Sequence, residues 1–284
     1  MKKYIYIALA SVGLTFLTSC AESSDGVGAS QIDTSMPILN DLDVWLRSSF
    51  VTPYNIEVLY KWDINDTDID RYLHPPLDAS VRPVAEALQK AWIEPYTQVG
   101  GTNFIKKIAP RQFTLVGSFN YNPNSPTITL GVAEAGTKIT LFNIDFLDFT
   151  DINSIKQPLK TVQHEYGHIL NQNIPFDVAY GQINPADYTA QWFNRTDAEA
   201  RELGYITAYG SSQEGEDFVE MVSEMLTNSK EDFDAIVESI SNEESKAIIR
   251  QKEAMVVDYY QTNFDIDIYE LQAIMDTATQ ELVN

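Results

Sequence analysis

At 284 residues, with 44% apolar and 11% aromatic side chains, the chain can bury a sizeable core and has the composition of a folded protein. Forty-one acids against nineteen bases give a net charge of −22, which argues against phosphate-backbone binding and leaves either a well-solvated surface or selection of basic substrates. A single cysteine excludes intrachain disulfides and multi-thiolate metal sites.

Lys2 and Lys3 precede "YIYIALASVGLTFL", an apolar run too short to span a bilayer comfortably, so residues 1–19 read as a secretory signal peptide. The run ends in "LTSC". Cys20 in that place resembles the lipidated cysteine of bacterial lipoproteins, which implies acylation there and a membrane anchor of more than one chain. "AESSDGVGASQIDTS" is small and polar, so residues 20–35 read as a lipid-anchored flexible tether. Its acidic character just after the cysteine resembles surface-export signals of Bacteroidetes-type lipoproteins. The folded domain is expected over residues 36–284, as one unit.

Leu39, Leu42, Trp45 and Leu46 have helical spacing, and "YNIEVLYKW" predicts a strand with Ile56, Val58 and Tyr60 on one face. "SVRPVAEALQKAWIEPY" predicts a helix capped by Ser80 and ended by Pro95. "RQFTLVGS", "SPTITLGVAE" and "GTKITLFNID" are short β-branched or aromatic runs separated by turn residues. After Leu147 the pattern is helical: Pro158 is expected to open the helix carrying "LKTVQHEYGHIL", and "GEDFVEMVSEMLTN" forms another. Ser241 and Glu244 have capping-box spacing before a third. A small sheet followed by helices is the order of an α+β domain.

The chain has three histidines, and two stand four residues apart in "HEYGH". On a helix, His164 and His168 lie on one face and can present both imidazoles to one zinc ion. Glu165, about 100° round the helix, can reach a metal-bound water without being a ligand. The surrounding Leu159, Val162, Tyr166, Ile169 and Leu170 bury that helix, and buried imidazoles need partners. A catalytic zinc site needs a third protein ligand and an open position. His74, before two prolines in "YLHPPLD", is a poor candidate, so a carboxylate is required. Asn171 and Ile174 stand where a third-histidine motif would place its glycine and histidine. Glu216 and Glu220 in "AYGSSQEGEDFVEMV" share a helix face and are the leading candidates; Glu199, Glu202 and Asp217 are rivals.

That stretch resembles lethal-factor-type metalloproteases of the gluzincin group, in which a Tyr-Gly precedes an E-x-F-x-E helix at the same interval. The resemblance implies Glu216 as the third ligand, Tyr209 as oxyanion stabiliser or proton donor, and Glu220 as a partner of a ligand histidine's N–H. A match along nearly the whole mature chain is carried by "NIEVLYKWDI", "IEPYTQVGGTNFIKKIAPRQFTLVGS", "ITLGVAEAGTKITLFNI", "HEYGHILNQ" and "EGEDFVEM". It resembles Bacteroidetes outer-membrane lipoproteins known as zinc-binding metallopeptidases or substrate import-associated zinc metallohydrolases. Gln163 stands where that family often has an extra histidine.

The resemblance implies a zincin-like α+β fold with a small mixed sheet, the metal helix and a helical C-terminal lobe. It also implies Zn2+ as cofactor and an outer-membrane location, surface-exposed or periplasmic. The partners implied are a peptide or glycopeptide substrate and, for import, a TonB-dependent transporter with its starch-binding-type lipoprotein. The expected reaction is amide hydrolysis by zinc-activated water with Glu165 as general base. The strand in "GTKITLFNI" either edges the cleft or is an ordinary paired strand. Two other readings are an accessory binding subunit with structural zinc and a hydrolase of non-peptide amides. Intact Glu165 and Tyr209 speak against the accessory reading.

Overall fold

The computed structural model describes residues 38–63, 70–134 and 136–283; the signal segment, the tether and Cys20 lie outside them. Leu39–Asn284 forms one compact unit. Among the described residues no helix is long and apolar enough to cross a membrane.

A capping box between Asn40 and Asp43 starts α1 (Asp41–Leu46), which runs on through a π-helical turn, Arg47–Val51. Ile56, Val58 and Tyr60 point inward around β1 (Glu57–Leu59), as their alternation predicts. Helix α2 (Asp78–Leu88) begins two residues before Ser80, which lies inside its first turn. Pro95 does not end this helix. A π-helical turn, Gln89–Ile93, leads into α3 (Glu94–Gly100), where the proline sits in the first turn and its missing N–H costs little. Gly101, at φ 85°, makes the stop. A short α4 (Phe104–Ile108) leads into the sheet.

The main sheet has the order β1-β2-β6-β5, with β2 at Gln112–Leu115, β5 at Gly131–Glu134 and β6 at Lys138–Leu141. The first three strands are parallel and β5 runs antiparallel to β6. β3 (Asn120–Tyr121) and β4 (Ile128–Thr129) form a separate two-stranded ribbon, so "SPTITLGVAE" holds two strands rather than one. Of the two positions open to "GTKITLFNI", the structure selects the interior one. β6 is paired on both sides, and the hairpin puts β5 outside it.

Asp151 caps α5 (Ile152–Asn173), so the long helix starts six residues before Pro158 and carries that proline inside it. The cost of an interior proline, about 3 kcal/mol, is offset by the burial of Ile155, Leu159, Val162, Tyr166 and Ile169. Tyr166 packs edge-on against Trp92 and Tyr96, each with ring centroids 5.1 Å apart, locking α5 to the α2–α3 rod. Then follow α6 (Asp197–Arg201), α7 (Glu214–Thr227), α8 (Lys230–Glu238), α9 (Glu243–Phe264) and α10 (Ile268–Glu281). Asn242, not Ser241, caps α9: its side chain accepts from the Glu244 and Ser245 N–H groups, while the Ser241 and Asn242 N–H groups donate to Glu202. The arrangement is α+β: a small mixed sheet on one side of α5, and the later helices on the other.

Candidate metal centre

Two glycines let other elements approach α5 closely. A Cβ on Gly131 of β5 would stand 2.3 Å from Thr161 Cγ2, so only glycine allows the edge strand to lie against the helix. A Cβ on Gly167 would meet Val219 Cγ1 at 2.9 Å, so this position sets how near α7 can pack. Gly167 lies between His164 and His168, and Val219 lies between Glu216 and Glu220. The metal helix and the acidic helix therefore touch where their polar residues face each other.

Glu216 Oε2 lies 3.1 Å from His164 Nε2 and 3.3 Å from His168 Nε2. Ligand atoms at zinc–ligand distances and tetrahedral angles stand about 3.3 Å apart, so the three side chains fit one zinc ion. Their ligating atoms all lie within 4.8 Å of one another. Glu216 stands in the first turn of α7, where the helix dipole favours a carboxylate. Burial opposes its charge, yet hydrogen bonds from His164 and His168 hold it well below the usual carboxylate range.

Glu220 lies one turn further along. Its Oε1 is 2.7 Å from His164 Nδ1, the ring nitrogen turned away from Glu216, and its Oε2 accepts from Thr207 Oγ1 at 2.6 Å. Lys160 Nζ stands 3.4 Å from the same Oε2 and also pairs with Glu224. Burial raises and these contacts lower the Glu220 carboxyl, leaving it at about 2. Burial likewise works against charge on His164, but the two glutamates overcome it and lift its pKa to about 10.

Burial raises the pKa of Glu165, against the pull of the nearby Ala133 backbone N–H in β5. Strand register explains that approach. Phe142 N–H donates to Leu130, so residues 130, 132 and 134 bond inward to β6 while Gly131 and Ala133 turn their backbone groups outward. Tyr209 stacks on the His164 ring at 5.6 Å between centroids and packs against Trp192 at 4.8 Å. Burial, together with the nearby Glu216 carboxylate, raises the pKa of its hydroxyl, so it stays a proton donor.

A cavity of about 380 Å³ opens beside these groups. β4, β5 and the residue joining them supply Ile128, Gly131 and Leu130, α5 supplies Thr161, His164 and Glu165, and Trp192, Ala208 and Tyr209 complete the lining.

The rivals for the third ligand serve elsewhere. Glu199 closes a capping box with Thr196, Glu202 accepts from the Ser241 and Asn242 N–H groups just before α9, and Asp217 pairs with Lys252 in the core. Burial pushes the Asp217 carboxyl up to about 6 against the pull of that lysine. His74 lies near Asp145, outside the cluster, and Gln163 is buried between Tyr96 and Met275. Sequence reasoning missed Thr207, Trp192 and the Ala133 N–H, which carry no local signal. Lys160 had one, since it lies four residues before His164 on the same helix face.

Residues 37–269 match a family described as "Putative zinc-binding metallo-peptidase". The chain belongs to that family. A crystal structure from Bacteroides caccae, described as a "putative zinc-binding metallo-peptidase", is 30% identical; the match covers 87% of this chain and 97% of that one, with a TM-score of 0.72. No curated protein matches. The family membership and this likeness give the chain a zincin-like fold and zinc as its cofactor, with His164, His168 and Glu216 as the group that fits the ion.

Proposed function

We propose that the chain is a zinc-dependent peptidase of the gluzincin type that hydrolyses amide bonds. The observation that carries this reading is the meeting of His164, His168 and Glu216 within 4.8 Å on two packed helices, with Glu165 and Tyr209 at one cavity beside them. Bound zinc supplies Lewis acidity and lowers the pKa of a water toward neutrality. Glu165 accepts the proton of the attacking water at its carboxylate and delivers it to the leaving amine. The Tyr209 hydroxyl donates a hydrogen bond to the oxygen that gains charge. The Gly131 N–H and C=O and the Ala133 C=O face outward from the edge strand, and along them an extended peptide adds as a further strand.

The cavity favours a neutral, bulky apolar side chain. Ile128 and Leu130 are exposed on its wall, whereas other charged groups there are already paired: Lys160 with two glutamates, Glu220 with Thr207 and His164, Asp197 with the Ala208 N–H. A charged occupant would lose its water without gaining a free partner.

The deciding experiment is Glu165→Gln in zinc-loaded protein profiled over a peptide and glycopeptide library. Zinc content should persist while hydrolysis falls about 10²–10⁴-fold. Equal cleavage by both forms would remove the general base from the mechanism, and no cleavage by the wild type would return the accessory-subunit reading.

The lipid anchor at Cys20, the outer-membrane location and the association with nutrient import are part of the same proposal, supported by the leader sequence and the family resemblance. Cys20→Ala should abolish labelling by a palmitate analogue and release the chain from the membrane fraction.

A further inference from the structure

We infer that Lys252 is a positioning residue for Tyr209, acting through a buried junction that ties α9 and α7 to the segment ending at that tyrosine. The inference rests on the reading of Tyr209 given above. Lys252 and Asp217 both have fully buried side chains, and Nζ lies 2.6 Å from Asp217 Oδ2. The same ammonium donates to the Gly204 carbonyl at 2.9 Å and stands 4.2 Å from the centre of the Tyr205 ring. The Tyr188 hydroxyl donates to Asp217 Oδ2 at 2.8 Å.

One cation therefore joins three parts of the chain. Asp217 directly follows the metal-site residue Glu216. Gly204, at φ 86°, turns the chain five residues before Tyr209. Between them Tyr205, Ile206 and Thr207 are almost wholly buried, so the segment has no slack to absorb a shift at Gly204. His164 and His168 depend on α5, and Glu216 is set by the α5–α7 contact at Gly167, so the junction is not what brings the metal group together. It holds the tyrosine's segment against that group. A buried ion pair is weak evidence for stability, since its desolvation offsets its attraction. Its bonds here give geometry.

The test uses the full zinc-loaded chain, an internally quenched peptide chosen by library profiling, and hydrogen exchange read by mass spectrometry. Lys252→Met leaves a buried carboxylate alone and risks misfolding, so Lys252→Met/Asp217→Leu, which replaces the pair by apolar groups, is made beside it. In either folded variant kcat should fall about 10–100-fold with misplacement of the donor, while KM and zinc affinity stay within about twofold. Exchange should quicken across Gly204–Tyr209 and remain unchanged in α5. In a Tyr209→Phe background the same changes at Lys252 should lower kcat no further.

Unchanged exchange across Gly204–Tyr209, or a loss of zinc affinity equal to the loss of kcat, overturns the inference. If Tyr209→Phe slows the reaction and the Lys252 variants do not, the inference fails while the proposed function stands. If Tyr209→Phe has no effect on kcat, it is the role given to Tyr209 that fails, and the exchange measurement still reports whether Lys252 holds the segment.

Discussion

His164 is held from both sides, by Glu216 at Nε2 and by Glu220 at Nδ1, and the two contacts have different consequences. Glu216 shares the face that fits the metal, whereas Glu220 fixes the ring's orientation and tautomer and makes the ligating nitrogen a better donor. Glu220→Gln should therefore weaken zinc binding about 10–100-fold, as measured by competition with a chelator of known affinity, while the fold is retained. An unchanged affinity would reduce Glu220 to a packing residue. Sequence spacing alone placed Glu216 and Glu220 on one helix face. It did not say which would face which nitrogen, because that depends on the rotation of α7 about its axis.

At the scale of elements, the centre is a helix–helix contact set by a glycine. Glycine inside a helix costs about 1 kcal/mol relative to alanine, and at Gly167 that loss is offset by the approach of Val219. Gly167→Val should force α5 and α7 apart at the point between the histidines. Zinc affinity should fall by at least about tenfold, with helix content by circular dichroism little changed, since valine costs a helix no more than glycine does. Retained affinity would show that the ligand distances are set elsewhere. The neighbouring strands teach the opposite lesson about legibility. The β-branched runs marked β2, β5 and β6 in the sequence, but nothing local decides which strand of a hairpin lies outside. Pro95 and Pro158 misled for a related reason: a proline is read as a boundary, and here a π-helical turn before one and apolar burial around the other overrule it.

For the whole molecule, the paired charges of the centre make zinc binding and stability depend on pH in the zinc-free chain. His164 is raised from 6.5 to about 10, so its stabilisation is complete below 6.5 and is lost as pH rises through about 10. Glu220 is lowered from 4.5 to about 2, so its contribution is present above 4.5 and is lost as pH falls through about 2. Unfolding of the chelator-treated protein should thus show its greatest resistance between these limits, with losses toward both acid and strong alkali. Zinc must displace the His164 proton, so its apparent affinity should rise about tenfold per pH unit from roughly pH 7 to 9. Calorimetry in buffers of different ionisation enthalpy would register the released proton; a pH-independent affinity would contradict the charge state given to His164.

The sequence by itself determined the α+β class, the helix bearing His164, Glu165 and His168, and the need for a carboxylate as third ligand. These follow from local periodicity, from i, i+4 geometry and from the small stock of histidine and cysteine. Tertiary structure alone decided that Glu216 meets the histidines while Glu199 is spent on a cap, Glu202 on the N–H groups before α9 and Asp217 on a buried pair. It also decided that β5 forms the sheet edge and that Lys252 reaches the chain leading to Tyr209. Such contacts join residues tens of positions apart, and their distances are fixed by how helices and strands pack, which no short window of sequence encodes.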